Sequence, residues 1–175
     1  GLCIKYKIMS TKFFNNIPGN TLFDKLKGIA AEMVTFERFL AVVGFFRSSG
    51  YFKLRKELGD ISEIKILVGI NIDDIFRKHN KALLMLADED KAKEIYHNGF
   101  KEDIVNAQYS PEVEEGILQM CEDLVSGRLQ MRIHATKNLH AKFYLCLPQN
   151  HSENSDGWVI MGSSNISDSG LGIKQ

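Results

Sequence analysis

The sequence predicts an α/β fold on a mainly parallel mixed sheet, and three observations carry that expectation. Arg38 to Phe46 and Ile64 to Ile70 are near-continuous apolar runs of strand length, the pattern of strands covered on both faces by helices. Between them Ser48-Ser49-Gly50 breaks the first run, and Tyr51 to Leu58 reads as a helix stopped at Gly59. Arg38 to Ile70 is therefore a strand–helix–strand unit, most simply with parallel strands. Three shorter strand patterns come later, at Leu129–His134, Leu139–Leu147 and Trp158–Met161.

In chain order, Gly1 to Ile8 reads as an upstream extension, because Met9 makes a natural start. Asn15-Asn16-Ile17-Pro18-Gly19-Asn20 is a loop, and Asn20 or Thr21 caps a helix through Met33 that lines up Leu22, Leu26, Ile29 and Ala30. Asp73 to Val125 is largely helical, with apolar spacings of three and four over Ile75–Leu86, Ala92–Phe100 and Pro111–Val125, and Gly127 as the stop. Met85, Tyr96, Phe100 and Met120 read as core, His79 and His97 as solvent-facing. With 175 residues and 44% hydrophobic content the chain suffices for one core, so residues 1–175 form one domain.

Formal charge is zero, so nothing global points to nucleic acid. Locally, Leu124 to Ser152 contains no acid but carries Arg128, Arg132, Lys137 and Lys142. A basic surface results if the preceding Glu112, Glu114, Glu115, Glu122 and Asp123 lie elsewhere; the alternative is charge alternating by segment for solubility. Cys3, Cys121 and Cys146 are scattered and odd in number, which suits reduced thiols in the cytoplasm rather than a disulfide framework. No run approaches the roughly 18 apolar residues of a membrane span.

The chemistry concentrates between Leu139 and Leu171. On a strand His140, Lys142 and Tyr144 share one face, with Ala141, Phe143 and Leu145 turned to the core. An imidazole and an ammonium so placed can reach one bound anion. After a polar connection from Pro148 to Gly157, a second strand brings Gly162-Ser163-Ser164-Asn165 back beside the first, with hydroxyl, amide and main-chain donors. These two pieces together resemble the phospholipase D superfamily, whose signature is His-x-Lys-x4-Asp followed by Gly-Ser-x-Asn. Gly44 to Gly50 and Leu67-Val68-Gly69 resemble the family's strand, Ser-Gly turn and strand, and read here as sheet core and turn. Leu139-His140-Ala141-Lys142, Gly162-Ser163-Ser164-Asn165 and Gly170-Leu171 narrow the likeness to the phospholipase-D-like domain at the N-terminus of Swi/Snf-type helicases and in related restriction nucleases. One position departs: Leu147 stands where the family has Asp.

The resemblance implies helices on both faces of the sheet, DNA as partner, and catalysis by His140, Lys142 and Asn165 without metal or cofactor. Gly162, Ser163 and Ser164 join it as substrate-binding residues, with Arg132 and Lys137 from the basic stretch. Because the family sets two His-Lys motifs across a two-fold axis and this chain has one, it also implies a homodimer. A further strand with an Asn and a Glu would follow Gln175, so the chain is expected to be the N-terminal part of a longer helicase-type protein. Three readings of the site stand open. It is a phosphodiesterase or nuclease working through a phosphohistidine; or it is an inactive DNA-docking module, as the missing Asp suggests; or it is a metal site of His134, His140, Cys146 and His151, whose spacing fits no common zinc pattern. A Ser163 or Ser167 nucleophile lacks a base placed to activate it, and a lipid substrate lacks a membrane-facing feature.

Overall fold

Local sequence starts and stops the elements. Thr21 caps helix α1 (Leu22–Glu32): its hydroxyl accepts from the Asp24 N–H at 3.1 Å, while the Asp24 carboxylate accepts from the Thr21 N–H at 2.9 Å and from the Thr21 hydroxyl at 2.8 Å. That reciprocal cap satisfies donors the first helical turn leaves orphaned. Strand β1 (Arg38–Phe46) runs into helix α2 (Ser48–Glu57), which begins three residues before the predicted Tyr51, and then into strand β2 (Glu63–Ile72). Helix α3 (Pro111–Val125) has the predicted bounds, with Pro111 in its first turn and the Ser110 hydroxyl accepting from the Val113 N–H at 3.4 Å. Strands β3 (Leu129–Ile133), β4 (Phe143–Leu147) and β5 (Trp158–Met161) follow, then a single helical turn, α4 (Asp168–Leu171). The structure, a computed structural model, describes residues 13–32, 36–72, 110–134, 139–153, 155 and 157–173. The helices expected at Ile75–Leu86 and Ala92–Phe100 lie outside the described residues, as do His79 and His97. Among the described residues no helix is long and apolar enough to cross a membrane.

The fold is α/β on an open five-stranded mixed sheet of order β3-β2-β1-β4-β5. Its pairings divide evenly rather than being mainly parallel: β1–β2 and β2–β3 are parallel, β1–β4 and β4–β5 antiparallel. The short connection from β4 to β5 permits only an antiparallel return. β4 itself is shorter than expected, starting at Phe143 instead of Leu139.

One face of the sheet holds the core. Phe39, Ala41 and Val43 of β1, Ile64, Ile66 and Val68 of β2, and Tyr144 and Cys146 of β4 join one cluster with Leu26 of α1, Leu54 of α2 and Met120 of α3. Helices on both faces were expected; among the described residues these helices all feed this one cluster. The opposite face is half-covered, where Leu40, Val42, Leu67, Phe143, Leu145 and Arg132 line a groove of about 410 Å³. The β4 faces are therefore the reverse of those predicted. Tyr144 and Cys146 are 1% exposed, while Phe143 and Leu145 are only part-buried.

Helices α2 and α3 lock together around Asp123. This carboxylate is fully buried and accepts from Tyr51 Oη at 2.8 Å, Arg55 Nε at 2.7 Å, Arg128 NH1 at 2.8 Å and Gln119 Nε2 at 3.3 Å. Burial alone would raise its pKa, but the hydrogen bonds from Arg55, Tyr51 and Arg128 prevail and hold it below the ordinary carboxylate value. Arg128 of the acid-free stretch is thereby paired with this buried carboxylate.

Asp123→Asn should destabilise the domain by about 3–5 kcal/mol, because it leaves a buried guanidinium unpaired. The folded carboxyl titrates below its unfolded value near 4, so its stabilisation is fully present above that unfolded value and is lost as pH falls through the folded one. Denaturant unfolding measured from pH 7 down to pH 3 should show a shallower acid limb for Asp123→Asn than for wild type.

Candidate functional site

Strand directions gather three chain segments at one edge of the sheet. β1 and β2 end there; β4, antiparallel to β1, begins there; β5, antiparallel to β4, ends there. The edge where strand carboxyl ends meet is where open α/β sheets bind ligands.

β1 breaks step at this edge. Its register against β2 shifts between Val43 and Phe45, which leaves the Gly44 and Phe45 N–H groups facing away from an ordinary ladder partner. Asn165 satisfies both, its Oδ1 accepting from Gly44 N–H and from Phe45 N–H at 3.1 Å each. With the oxygen so committed, the amide's remaining capacity is its NH2 group, a donor. Next in chain, the Ile166 carbonyl accepts from the Arg47 N–H at 2.8 Å, beside a bridge between Phe46 and Ile166. The loop after β5 is thus stitched to the end of β1 across the start of β4.

Gly44 is the floor of this arrangement. A methyl group added there would lie 2.6 Å from the Leu139 carbonyl oxygen, 3.5 Å from Lys142 Nζ and 3.7 Å from Asn165 Oδ1. The structure therefore brings Lys142 and Asn165 within 4 Å of one point. Lys142 Nζ donates to the His140 carbonyl at 2.8 Å, which holds the ammonium over the turn entering β4. The His140 side chain is exposed beside it. The shared face expected for His140, Lys142 and Tyr144 is replaced by a non-strand approach, because regular pairing begins only at Phe143.

Gly162 donates its N–H to the Lys142 carbonyl at 3.2 Å, extending the β4–β5 ladder by one step. Ser163 is exposed, and the Ser164 carbonyl accepts from the buried Tyr144 hydroxyl at 2.6 Å. Tyr144 can sit in the core because its one polar group finds that partner; burial raises its pKa. Below the loop, Ser167 caps α4 by accepting from the Gly170 N–H at 3.0 Å, and Lys53 of α2 pairs with Asp168 at 2.9 Å.

Other predicted positions lie elsewhere. Arg132 is on β3, three strand spacings from β4, or about 14 Å; it lines the half-covered sheet face, not the Gly162–Asn165 loop. Lys137 lies outside the described residues. Leu147, at the family's Asp position, is 9% exposed at the far end of β4, opposite Arg38. Five residues of strand put it about 17 Å from Lys142. Of the carboxylates that could substitute, Asp156 is outside the described residues and Asp168 is paired with Lys53.

The set His134, His140, Cys146 and His151 does not converge. Cys146 is buried in the core, its thiol pushed up to about 12 by that burial. His151 lies beyond the opposite end of β4 from His140, in contact with Ser155 Oγ at 2.9 Å. Two features went unread in the sequence. A glycine inside an apolar strand run signals a bulge or close approach, and Gly44 is that case. Phe14 reaches Gly162 from the other end of the chain, its ring 3.0 Å from where a Gly162 side chain would begin; no local pattern announces such a contact.

No protein-family model matches the chain, and no curated protein is similar enough to count as a relative.

Gly44→Ala should displace the Leu139 carbonyl and loosen the Lys142–Asn165 pair. Overpacking of this kind costs about 1–3 kcal/mol. A thermal unfolding curve checks the stability loss, and amide exchange at Gly162–Ile166 should rise more than exchange in α3.

Proposed function

We propose that this edge is a phosphodiester site and that the domain is a phospholipase-D-like phosphodiesterase or nuclease acting on DNA. The observation that carries the reading is the placement of Lys142 Nζ and Asn165 Oδ1 within 4 Å of one point over Gly44, the oxygen being tied back so that the adjoining NH2 is the group left to donate. An ammonium and an amide donor are what non-bridging phosphate oxygens require. Ser163 adds an exposed hydroxyl on the same loop.

In this mechanism the His140 imidazole attacks phosphorus. A nitrogen–phosphorus bond forms, the bond to the leaving oxygen breaks, and that oxygen takes a proton from a second imidazole. Water then attacks the phosphohistidine, giving its proton back to the second imidazole, and releases His140. Since the chain carries one His-Lys pair, the second imidazole is His140 of another copy, which makes the working unit a homodimer with a two-fold axis through the site. The parent protein in this reading is a DNA helicase of the Swi/Snf type with this domain at its N-terminus.

One observation favours a second reading, an inactive DNA-docking module of the same helicase. Leu147 replaces the family's Asp and is packed as a core residue, so no carboxylate is available at that position.

Two variants separate these readings. His140→Ala should abolish cleavage of a generic phosphodiester in EDTA, and a mixed dimer with one altered subunit should be equally inactive, because both imidazoles come from the same position. Cleavage that survives His140→Ala, or needs added magnesium, rejects the phosphohistidine route. Absence of wild-type turnover, with DNA still bound, selects the docking module. Lys142→Ala should weaken oligonucleotide binding at low salt and reduce the slope of log affinity against log salt by about one phosphate contact; an unchanged slope would place the phosphate elsewhere.

A further inference from the structure

A groove of about 350 Å³ adjoins the proposed phosphate loop, lined by Phe13, Phe14, Asn15, Asn16, Met161 and Ser163. Gly162 and Ser163 belong both to this groove and to the loop that ends in Asn165, and the Gly162 N–H donates to the Lys142 carbonyl at 3.2 Å, so the groove adjoins the residue proposed to hold the phosphate. Phe13 stands 84% exposed and Met161 74% exposed, so the groove opens onto an apolar wall. Phe14, by contrast, is part-buried against the core and rests over Gly162, which gives the groove a fixed aromatic base. Asn15 Oδ1 accepts from the Ile17 N–H at 2.9 Å, and this local turn leaves the Asn15 NH2 as its principal free capacity.

We infer that this groove takes one unpaired nucleobase next to the phosphate held by Lys142 and Asn165, so that the substrate strand is single-stranded DNA. The inference rests on the phosphodiester reading of that pair. Aromatic rings beside amide groups match the flat face and polar edge of a base, and stacking tolerates any base identity. A volume of this size suits one small group such as a single base. In a duplex, moreover, the base faces are already stacked on their neighbours, so Phe13 would gain nothing from it. None of the seven side chains that line the groove is charged, which fits a base rather than a second phosphate.

The test uses fluorescence anisotropy with a labelled twelve-nucleotide strand, its duplex, and the same strand made abasic, all on a His140→Ala background that prevents cleavage. Phe13→Ala should weaken single-strand binding about 5- to 150-fold, the range of one lost stacking contact. Duplex and abasic-strand affinities should change less than twofold. Phe13→Trp should bind the single strand at least as tightly as Phe13 does. Thermal unfolding of both variants checks that each retains the fold. The inference is overturned if single strand and duplex bind equally well before substitution, or if Phe13→Ala leaves single-strand affinity within twofold. Lys142→Ala distinguishes the underlying reading. If it weakens nothing while Phe13→Ala still costs fivefold or more, the phosphate assignment fails and the base groove stands. If it weakens binding while Phe13→Ala does not, the phosphate assignment stands and the groove fails.

Discussion

Two backbone N–H groups at the break in β1 have to be satisfied, and a single side-chain oxygen satisfies both. Unpaired main-chain donors in a half-buried sheet cost as much as lost hydrogen bonds, so the Gly44–Phe45 bulge is tolerable only with Asn165 in place. Much else at the edge follows from that one requirement. Asn165 has to arrive over β1, so the loop after β5 has to cross the start of β4. Crossing there requires Gly162 to continue the ladder with Lys142 and the Ser164 carbonyl to find Tyr144. The position of Lys142 is therefore an outcome of backbone satisfaction, and the donor character of the Asn165 amide comes from the same bonds.

The helix layer is held by a different device. Asp123 collects donors from α2, from α3 itself and from the residue entering β3, so one carboxylate sets the relation of three elements. Hydrophobic contact alone would allow α2 and α3 to slide, since apolar packing is non-directional. A bidentate guanidinium and a tyrosyl hydroxyl permit one arrangement. The site edge does not share these residues. The Asp123 assembly and the candidate site are thus lodged at separate places, joined by β1 and α2.

Much of the architecture was legible in the sequence, and the failures have identifiable causes. Arg38–Phe46, Pro111–Val125 and Trp158–Met161 were readable because each combines a clear apolar period with a local stop signal. Sheet order was not, since it depends on pairings between segments a hundred residues apart. That is why Arg132, eight residues before His140 in the chain, was grouped with a site from which two intervening strands separate it. The β4 faces were misread for a chemical reason. Phe143 and Leu145 are the more apolar set by ranking, yet Tyr144 takes the core because its hydroxyl has an internal partner. Motif spacing grouped Lys142, Gly162 and Asn165, and the structure sets Lys142 and Asn165 beside Gly44 and Gly162 against Lys142; it also shows why a glycine is needed at 44, which spacing could not tell.

The hydrogen bonds that the Asn165 oxygen accepts from the Gly44 and Phe45 N–H groups join residues 121 and 120 positions apart. Contacts of that span have high contact order, and the loop-closure entropy they require must be met before they give anything back. The β1–α2–β2 unit can form from local contacts, whereas β4 and β5 have to find β1 from the far end of the chain. Folding should therefore complete the sheet on the side of β4, and the candidate edge is assembled by its most non-local bonds. The same edge is the natural place for partial opening: loss of the short four-residue β5 and its loop removes Asn165 from Gly44 while leaving the Asp123 assembly intact. Completion of this edge is accordingly a separate cooperative event from having a folded core.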